Sequence, residues 1–181
     1  WVHLALLGDD NQPVPEGEAG EICVRAPLVM EGYNGLPEQT AEAFAGGWLH
    51  TGDVGRFDDE GYLHIVDRKK DMIVTGGFNV FPREIEDVIS AHPAVAMVAV
   101  VGVPEEKWGE AVKAVVVLRP GQEGSEELAA ELQAAVKEAK GAVQSPKSVD
   151  FVAQIPLSAL GKPDKKALRA QFWGEQERGV N

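Results

Sequence analysis

Three short segments of the sequence hold residue types that could do chemistry, and the first surrounds an aspartate beside a glycine. Asp53 follows Gly52 within Trp48–Gly55, where we predict that a strand gives way to a turn. A carboxylate at such a junction can expose both oxygens, which are natural acceptors for the two hydroxyls of a ribose. Taken alone, the segment is explained more simply by a turn aspartate that bonds its own backbone.

The second segment, Asp67–Glu86, combines a run of charges with a pair of glycines. The planar guanidinium of Arg68 suits ribose or phosphate oxygens. Gly76-Gly77 leaves the backbone bare, so that a narrow ligand arm could lie against it. By composition alone, a hairpin with ordinary surface charges is the simpler interpretation. Glu84 and Glu86 are predicted to fall in the first turn of the next helix, where their charges complement the helix dipole, so they are assigned no functional role.

The third segment, Ile155–Pro163, carries a lysine directly after a glycine. In a loop bounded by prolines, the ammonium group of Lys162 is a mobile point charge that can be inserted into a site. The segment is similar to the end of a nucleotide-binding P-loop, but Pro156 stands where that motif requires glycine. Because no Ser or Thr follows Lys162 either, the P-loop interpretation is rejected.

Composition excludes several classes of function. The 181 residues suffice for one sizeable domain or two small ones. A net charge of −12 argues against a nucleic-acid partner, since phosphate backbones attract clustered Lys and Arg. No apolar run approaches the roughly 20 residues of a transmembrane helix. One basic cluster near the end of the chain is a local exception to the argument from net charge, and the sequence leaves open whether it has a function or is simply a solvated helix face. The cluster comprises Lys162, Lys165, Lys166 and Arg169.

The cysteine and histidine residues point away from a metal site. A lone cysteine, Cys23, excludes an internal disulfide and a thiolate zinc cluster, and it fits a reducing cytoplasm. The four histidines are scattered without ligand spacing, so no metal site is predicted. They are His3, His50, His64 and His92. The predicted location is cytoplasmic.

The first part of the chain is predicted to be all-β. Residues 1–66 contain short apolar runs separated by turn residues, which suit a small barrel or sandwich. The predicted strands are Trp1–Leu7, Gly20–Arg25 and Tyr62–Val66, with a short helix over Pro37–Phe44. The chain has no initiator Met and begins within an apparent strand, so we expect a fragment. Five consecutive charges, Asp67–Asp71, then predict an exposed connection.

Beyond these charges, helices and strands alternate. Gly76-Gly77 predicts a hairpin turn, and Pro82 can begin a helix that Pro93 must end. Ser125 can cap a helix that runs to about Lys140. The other predicted elements are two central strands, Ala94–Val103 and Ala111–Leu118, a strand over Ser148–Val152 and a last helix over Pro163–Phe172. The pattern indicates an α+β domain whose helices pack on a small sheet.

Taken together, the three segments closely resemble the adenylate-forming ligase superfamily, which includes acyl-CoA synthetases, amino-acid adenylation domains and beetle luciferases. The resemblance implies a reaction in which a carboxylic acid and ATP form an acyl-adenylate, from which a thiol displaces AMP. The sequences DRKKDMI and GFNVFPREIEDV are most similar to fatty-acyl-CoA and related synthetases. The implied substrates are therefore a carboxylic acid, ATP (with Mg) and CoA.

The resemblance also implies a role for each candidate residue. Asp53 is expected to hold the ribose hydroxyls of the nucleotide, with support from Arg68. Lys70 is expected at a hinge, and Gly76-Gly77 beside the tunnel for the pantetheine arm of CoA. Lys162 is expected to reach the carboxylate of the acid and the α-phosphate during adenylation. The family's phosphate-binding loop, acyl pocket and magnesium-binding Glu have no counterpart in these 181 residues.

The resulting domain prediction is a β-rich, barrel-like subdomain over 1–66, a hinge over 67–70 and an α+β lid domain over 71–181. The chain alone is expected to be inactive and to need the N-terminal domain of its parent enzyme. Apolar surface normally covered by that domain could drive self-association. Two alternatives stay open: the lid of an aryl- or amino-acid-adenylating enzyme with a carrier-protein thiol, or a non-catalytic module that binds nucleotide or CoA.

Overall fold

In a computed structural model of the chain, which describes residues 1–174, the protein divides into two compact units. The first unit comprises Trp1–Lys70 and the second begins at Asp71. Strand β4 extends to Arg68, and a short 3-10 helix, Lys69–Asp71, follows directly. Two residues of the segment predicted as a hinge therefore belong to the first sheet, and the two lysines begin the short helix.

The first unit is an antiparallel sheet whose strands neighbour one another in sequence order, β1-β2-β3-β4. The predicted β-rich character is confirmed. The barrel-like closure is not seen, because no ladder joins β1 to β4 in this fully described unit. The strands are β1 (His3–Leu7), β2 (Gly20–Arg25), β3 (Leu49–Phe57) and β4 (Leu63–Arg68), with helix α1 (Pro37–Ala43) between β2 and β3.

Two local predictions in this unit are wrong. Asp53 lies within β3, a nine-residue strand, and not at a strand-to-turn junction. The strand continues through Gly52 and Asp53 because long-range hydrogen bonds from β2 hold it, with a register shift in that pairing. The charged run is no simple exposed connection, since Asp67 is buried in β4 and its Oδ1 accepts a hydrogen bond from the Arg68 amide at 2.7 Å.

The second unit has the predicted α+β architecture. Its sheet has the order β6-β5-β8-β7, and β9 pairs in parallel with β8. The strands are β5 (Ile73–Thr75), β6 (Phe78–Val80), β7 (Val95–Glu105), β8 (Gly109–Leu118) and β9 (Ser148–Phe151). The helices are α2 (Pro82–Ser90), α3 (Glu126–Lys140) and α4 (Lys165–Trp173). The predicted cap of α3 is confirmed, because Ser125 Oγ accepts a hydrogen bond from the Leu128 amide at 3.1 Å.

Strand β7 explains why the core lies on both faces of this sheet. Val98 and Val100 join one buried cluster with residues of α2 and α3, such as Ile85 and Leu132. Ala99 and Val101, which point to the opposite face, join a second cluster that includes Leu168 of α4. Burial on both faces produces the continuous apolar run. That run predicted a central strand, yet β7 pairs only with β8 among the described residues.

No helix within residues 1–174 combines the length and the hydrophobicity that crossing a bilayer requires.

Candidate functional site

Asp53 and Arg68 face each other across strands β3 and β4. The two residues are Cα partners in the antiparallel register, and Arg68 Nε lies 3.3 Å from Asp53 Oδ1. The Asp53 side chain is 34% exposed and that of Arg68 62%, so both can reach a ligand in solvent. The sheet thus presents a carboxylate beside a guanidinium, which together offer acceptors and donors to the hydroxyls of a sugar.

A buried carboxylate, Glu21, holds the segment that carries Asp53. Its Oε1 accepts a hydrogen bond from the Gly52 amide at 3.0 Å. Its Oε2 accepts one from His50 Nδ1 at 2.9 Å and one from Lys69 Nζ at 3.1 Å. Burial raises the pKa of Glu21, but the hydrogen bonds from His50, Lys69 and Gly52 together outweigh it and lower the pKa. Glu21 therefore stays charged and fixes the backbone one residue before Asp53.

Sequence reasoning missed Glu21, although one signal was available. The residue directly precedes the apolar residues Ile22–Val24 in the predicted strand, where a charged side chain must find partners if the strand is buried. Its partners are Gly52, His50 and Lys69, which lie 29 or more positions away in the chain. No local spacing could reveal such a network.

Three potential metal ligands meet in the same network, which the scattered histidines and lone cysteine did not predict. Atoms of Glu21, Cys23 and His50 all lie within 4.8 Å of one another, with Cys23 Sγ at 3.4 Å from His50 Nδ1. Burial, followed by the charge of Glu21, raises the pKa of the Cys23 thiol to about 11. Since Lys69 Nζ lies on Glu21 Oε2 at 3.1 Å, the arrangement favours a hydrogen-bonded network over a cation site.

Lys69 and Lys70 have different surroundings although they are adjacent. Lys69 Nζ lies 2.9 Å from Asp9 Oδ1 and 3.1 Å from Glu21 Oε2. Burial lowers the pKa of Lys69, but the contacts with Asp9 and Glu21 raise it overall. Lys70 is exposed and is the last residue of the first unit. The ion pairs of Lys69 thus hold the chain one residue before the boundary between the two units, which follows Lys70.

Gly76 and Gly77 form the turn between β5 and β6, as the sequence predicts. Both have positive φ angles, 57° and 82°, and the Gly76 amide donates a hydrogen bond to the Trp108 carbonyl at 2.9 Å. A Cβ atom at Gly76 would lie 2.6 Å from Cε3 of the Trp108 ring. Glycine is therefore required at position 76 both by its backbone angle and by the approach of the indole.

A cavity of about 250 Å³ opens beside this turn. Its lining includes Gly76 and the aromatic rings of Phe78 and Trp108, with Val143 and Lys147. Phe78 and Trp108 are 60% and 49% exposed, and their rings lie together on the same cavity, as in apolar patches that bind ligands. An open apolar slot with one ammonium group suits an elongated ligand that carries an anionic end.

Glu110 anchors the same hairpin from β8. The residue is 4% exposed, and its Oε2 accepts a hydrogen bond from the Val74 amide at 2.9 Å. This bond holds the middle of β5, and the bond from the Gly76 amide to the Trp108 carbonyl holds the turn that follows the strand. The sequence analysis gave Glu110 no role.

Lys162 lies on a tightly closed loop of the second unit. The Ser158 amide donates to the Lys162 carbonyl at 2.7 Å, and the Asp164 amide donates to the Pro156 carbonyl at 2.8 Å. The Lys162 side chain is exposed, and no hydrogen bond or ion pair engages its ammonium group within residues 1–174. The loop therefore presents an uncommitted positive charge on a fixed backbone.

The solvated-face interpretation of the basic cluster is wrong for two of its four members. Lys165 Nζ lies 2.8 Å from Glu86 Oε1, and Arg169 Nη1 lies 2.9 Å from Asp71 Oδ1. These four side chains are between 12% and 18% exposed. Glu86 also accepts a hydrogen bond from the Val100 amide at 2.7 Å. Glu86 lies beyond the first turn of α2, whose acidic residue is Glu84, so the prediction that Glu86 serves only the helix dipole is wrong.

The structure thus groups the predicted site residues into separate places. Asp53 and Arg68 pair in the first unit, Gly76 and Gly77 share a turn in the second, and Lys162 occupies another loop of the second unit. Lys70 follows the first sheet at the boundary of the two units.

Comparisons with known proteins identify the family to which these groups of residues belong. The AMP-binding enzyme C-terminal domain family matches residues 84–162, and Lys162 is the last residue matched. The chain is 58% identical to the medium/long-chain-fatty-acid–CoA ligase FadD8 of Mycobacterium tuberculosis, over 99% of this chain and 32% of that protein. It is 46% identical to a feruloyl-CoA synthase of Amycolatopsis, over 95% of this chain and 34% of that protein.

A solved structure extends the likeness to three dimensions. The amide bond synthetase McbA from Marinactinospora thermotolerans is 43% identical, with a TM-score of 0.82, over 94% of this chain and 34% of that one. The chain spans about a third of the length of the curated relatives that it matches. Both units are covered, including the sheet with Asp53 and the loop with Lys162. The chain therefore belongs to the adenylate-forming AMP-binding enzymes and corresponds to their C-terminal portion.

Proposed function

We propose that the chain is the C-terminal portion of an ATP-dependent acyl-CoA synthetase, which activates a fatty acid as acyl-AMP and transfers the acyl group to CoA. The observation that carries this proposal is the uncommitted ammonium group of Lys162 on its closed loop, at the end of the family match. The names of the relatives support the substrates, since the protein with 58% identity is a medium/long-chain-fatty-acid–CoA ligase.

Lys162 is the proposed catalytic residue of adenylation. In that step a carboxylate oxygen attacks the α-phosphorus of ATP, and pyrophosphate leaves. Negative charge grows on the oxygens around phosphorus, where a positioned cation stabilises the transition state more than the ground state. A lysine already engaged in an ion pair could not do this without breaking that pair, which is why the exposed and unpaired state of Lys162 matters.

Asp53 and Arg68 are the proposed ribose-binding residues. Their separation of 3.3 Å lets one hydroxyl bridge the pair while Asp53 Oδ2 accepts from the second. Glu21 would hold Asp53 in place through the Gly52 amide. Magnesium would enter with ATP, and the phosphate loop and magnesium-binding carboxylate that such a reaction needs would be supplied by the rest of the protein.

The cavity beside Gly76-Gly77 is the proposed site for CoA. The pantetheine arm is narrow and could lie against backbone that carries no side chain. The exposed rings of Phe78 and Trp108 suit stacking, and Lys147 suits a phosphate. We further propose that the second unit rotates about Lys70, so that the Lys162 loop serves adenylation and the glycine turn serves thioester formation.

An aryl acid is the second candidate substrate. The relative with 46% identity is a feruloyl-CoA synthase, and no residue of this chain is proposed to choose the acid. The higher identity to a fatty-acid ligase favours the aliphatic substrate. A non-catalytic binding role for the chain by itself agrees with the proposal, because both half-reactions need residues outside it.

The test uses the full-length enzyme that carries this chain. Acid-dependent exchange of pyrophosphate into ATP reports adenylation, with medium- and long-chain fatty acids and ferulate compared side by side. CoA added to preformed acyl-AMP reports the second step. Lys162→Ala should slow exchange by about 10²–10³-fold and leave thioester formation intact. Lys166→Ala is the matched control and should change neither rate, because Lys166 is an exposed lysine at the start of α4, the helix that follows the Lys162 loop.

Two results would contradict the proposal. Exchange that no carboxylic acid stimulates would exclude an acyl-adenylating enzyme. Equal losses in both half-reactions of Lys162→Ala would show that the lysine supports folding and has no specific part in adenylation.

A further inference from the structure

Two basic residues of helix α4 are fixed in ion pairs on one face of the helix. Lys165 and Arg169 are four residues apart, so they project from adjacent turns toward the same side. Arg169 pairs with Asp71, and the two side chains are 12% and 15% exposed. Lys165 pairs with Glu86 at 14% and 18% exposure. Such shielded pairs have defined geometry, in contrast to mobile surface pairs.

Apolar packing and a third polar contact fix α4 from the same side, since Leu168 lies three residues after Lys165 and Trp173 lies four residues after Arg169. Leu168 is 2% exposed and belongs to the buried cluster with Ala99 and Val101 of β7. Near the end of α4, Trp173 Nε1 donates a hydrogen bond to the Gly102 carbonyl at 2.9 Å. The helix therefore has one orientation on the sheet.

The Lys162 loop is attached to the start of α4 by hydrogen bonds of a single residue, Asp164. Asp164 Oδ1 accepts a hydrogen bond from the Ala167 amide at 3.0 Å and so caps the start of α4. The Asp164 amide also closes the loop by donating to the Pro156 carbonyl at 2.8 Å. Because the cap residue and the loop closure are the same residue, any change in the position of α4 is transmitted to Lys162.

Asp71, the ion-pair partner of Arg169, is the first residue of the second unit and directly follows Lys70. We propose that Arg169 is a positioning residue for adenylation, because its ion pair with Asp71 ties the Lys162 loop to the chain immediately after the hinge. This inference rests on the proposed function. When the unit rotates about Lys70, the pair makes the hinge end and the lysine loop move as one body, which brings Lys162 to the α-phosphate in a single geometry.

The test is Arg169→Met in the full-length enzyme, which keeps the aliphatic stem and removes the charge. Small errors in the position of a catalytic group are costly in rate, so kcat for pyrophosphate exchange should fall by about 10–100-fold. The KM for ATP and the rate of thioester formation from preformed acyl-AMP should stay within about twofold, since Asp53, Arg68 and the glycine turn are untouched. Arg169→Lys, which can restore the ion pair, should recover most of the lost rate.

Lys166→Met is the matched control, because Lys166 lies on the same helix, is exposed and forms no ion pair within the described part of the chain. Unchanged exchange in Arg169→Met, or equal losses in both half-reactions, would overturn the inference while leaving the proposed function intact. A wild-type enzyme without exchange would instead remove the proposed function, and the inference with it. If circular dichroism shows that Arg169→Met is unfolded, Asp71→Asn replaces it, with the same expected and contradicting results.

Discussion

Replacing Gly76 by alanine tests the glycine turn most directly, because Gly77 provides a matched control. Both residues have positive φ, so alanine costs about 1–2 kcal/mol at either position. Only at Gly76 does the new methyl group meet an obstacle, the Trp108 ring at 2.6 Å; nothing lies within 4 Å of a Cβ at Gly77. Overpacking a core adds about 1–3 kcal/mol, and for the half-exposed Trp108 ring the same range is taken as the upper bound. Gly76→Ala should therefore be the more destabilising change by up to that amount.

Hydrogen exchange of the hairpin amides measures this difference as a local opening free energy. A difference of about 1–3 kcal/mol corresponds to roughly 5- to 150-fold faster exchange in Gly76→Ala than in Gly77→Ala. Equal exchange in the two variants would refute the claim that the indole fixes the turn. In the full-length enzyme, Gly76→Ala should also raise the KM for CoA and leave that for ATP unchanged. An unaltered KM for CoA would argue against the proposed CoA site.

Three further predictions concern the first unit and the boundary. Asp53→Ala should weaken ATP binding by about 1.5–3 kcal/mol in titration calorimetry of the full-length enzyme, and unchanged affinity would leave Asp53 a purely structural residue. Lys70→Pro, if circular dichroism shows it folded, should spare adenylation and suppress thioester formation, because proline fixes φ near −65°; normal rates in both steps would make Lys70 an ordinary linker residue. The lowered pKa of Glu21 means that its charge stabilises the fold above the unfolded pKa, and that this contribution is lost as pH falls through the folded value. Glu21→Gln should thus cost about 1.5–3 kcal/mol in urea unfolding at pH 7 and much less at pH 3, whereas a cost independent of pH would contradict the charged network.

The elements that local sequence signals predicted are those stabilised by local interactions. The cap at Ser125 identified α3 because a capping side chain acts on amides only a few residues away. The glycine pair identified the turn after β5 because positive φ is a property of single residues. Both signals are independent of the rest of the fold.

The features that were missed depend on residues distant in sequence. Strand β3 continues through Gly52 because Glu21 binds that amide across 31 positions, and no propensity of β3 itself encodes this bond. The pairing of Arg169 with Asp71 spans 98 positions, so the basic cluster could not be divided into paired and unpaired members beforehand. Strand β7 was misplaced because an apolar run reports burial of its faces and carries no information about its edges.

The contacts of β7 also protect the edge of its sheet from pairing with a strand of another chain. This strand is eleven residues long, rich in valine and has one edge without a neighbouring strand among residues 1–174, a geometry that templates aggregation. Along that edge, Glu86 accepts from the Val100 amide and Trp173 donates to the Gly102 carbonyl. The Val100 amide and the Gly102 carbonyl are therefore not available to hydrogen-bond an incoming strand. Side chains of α2 and α4 thus occupy backbone groups at this edge of the sheet. A unit that is proposed to rotate in solvent can then keep a valine-rich strand at the edge of its sheet without pairing with a second chain.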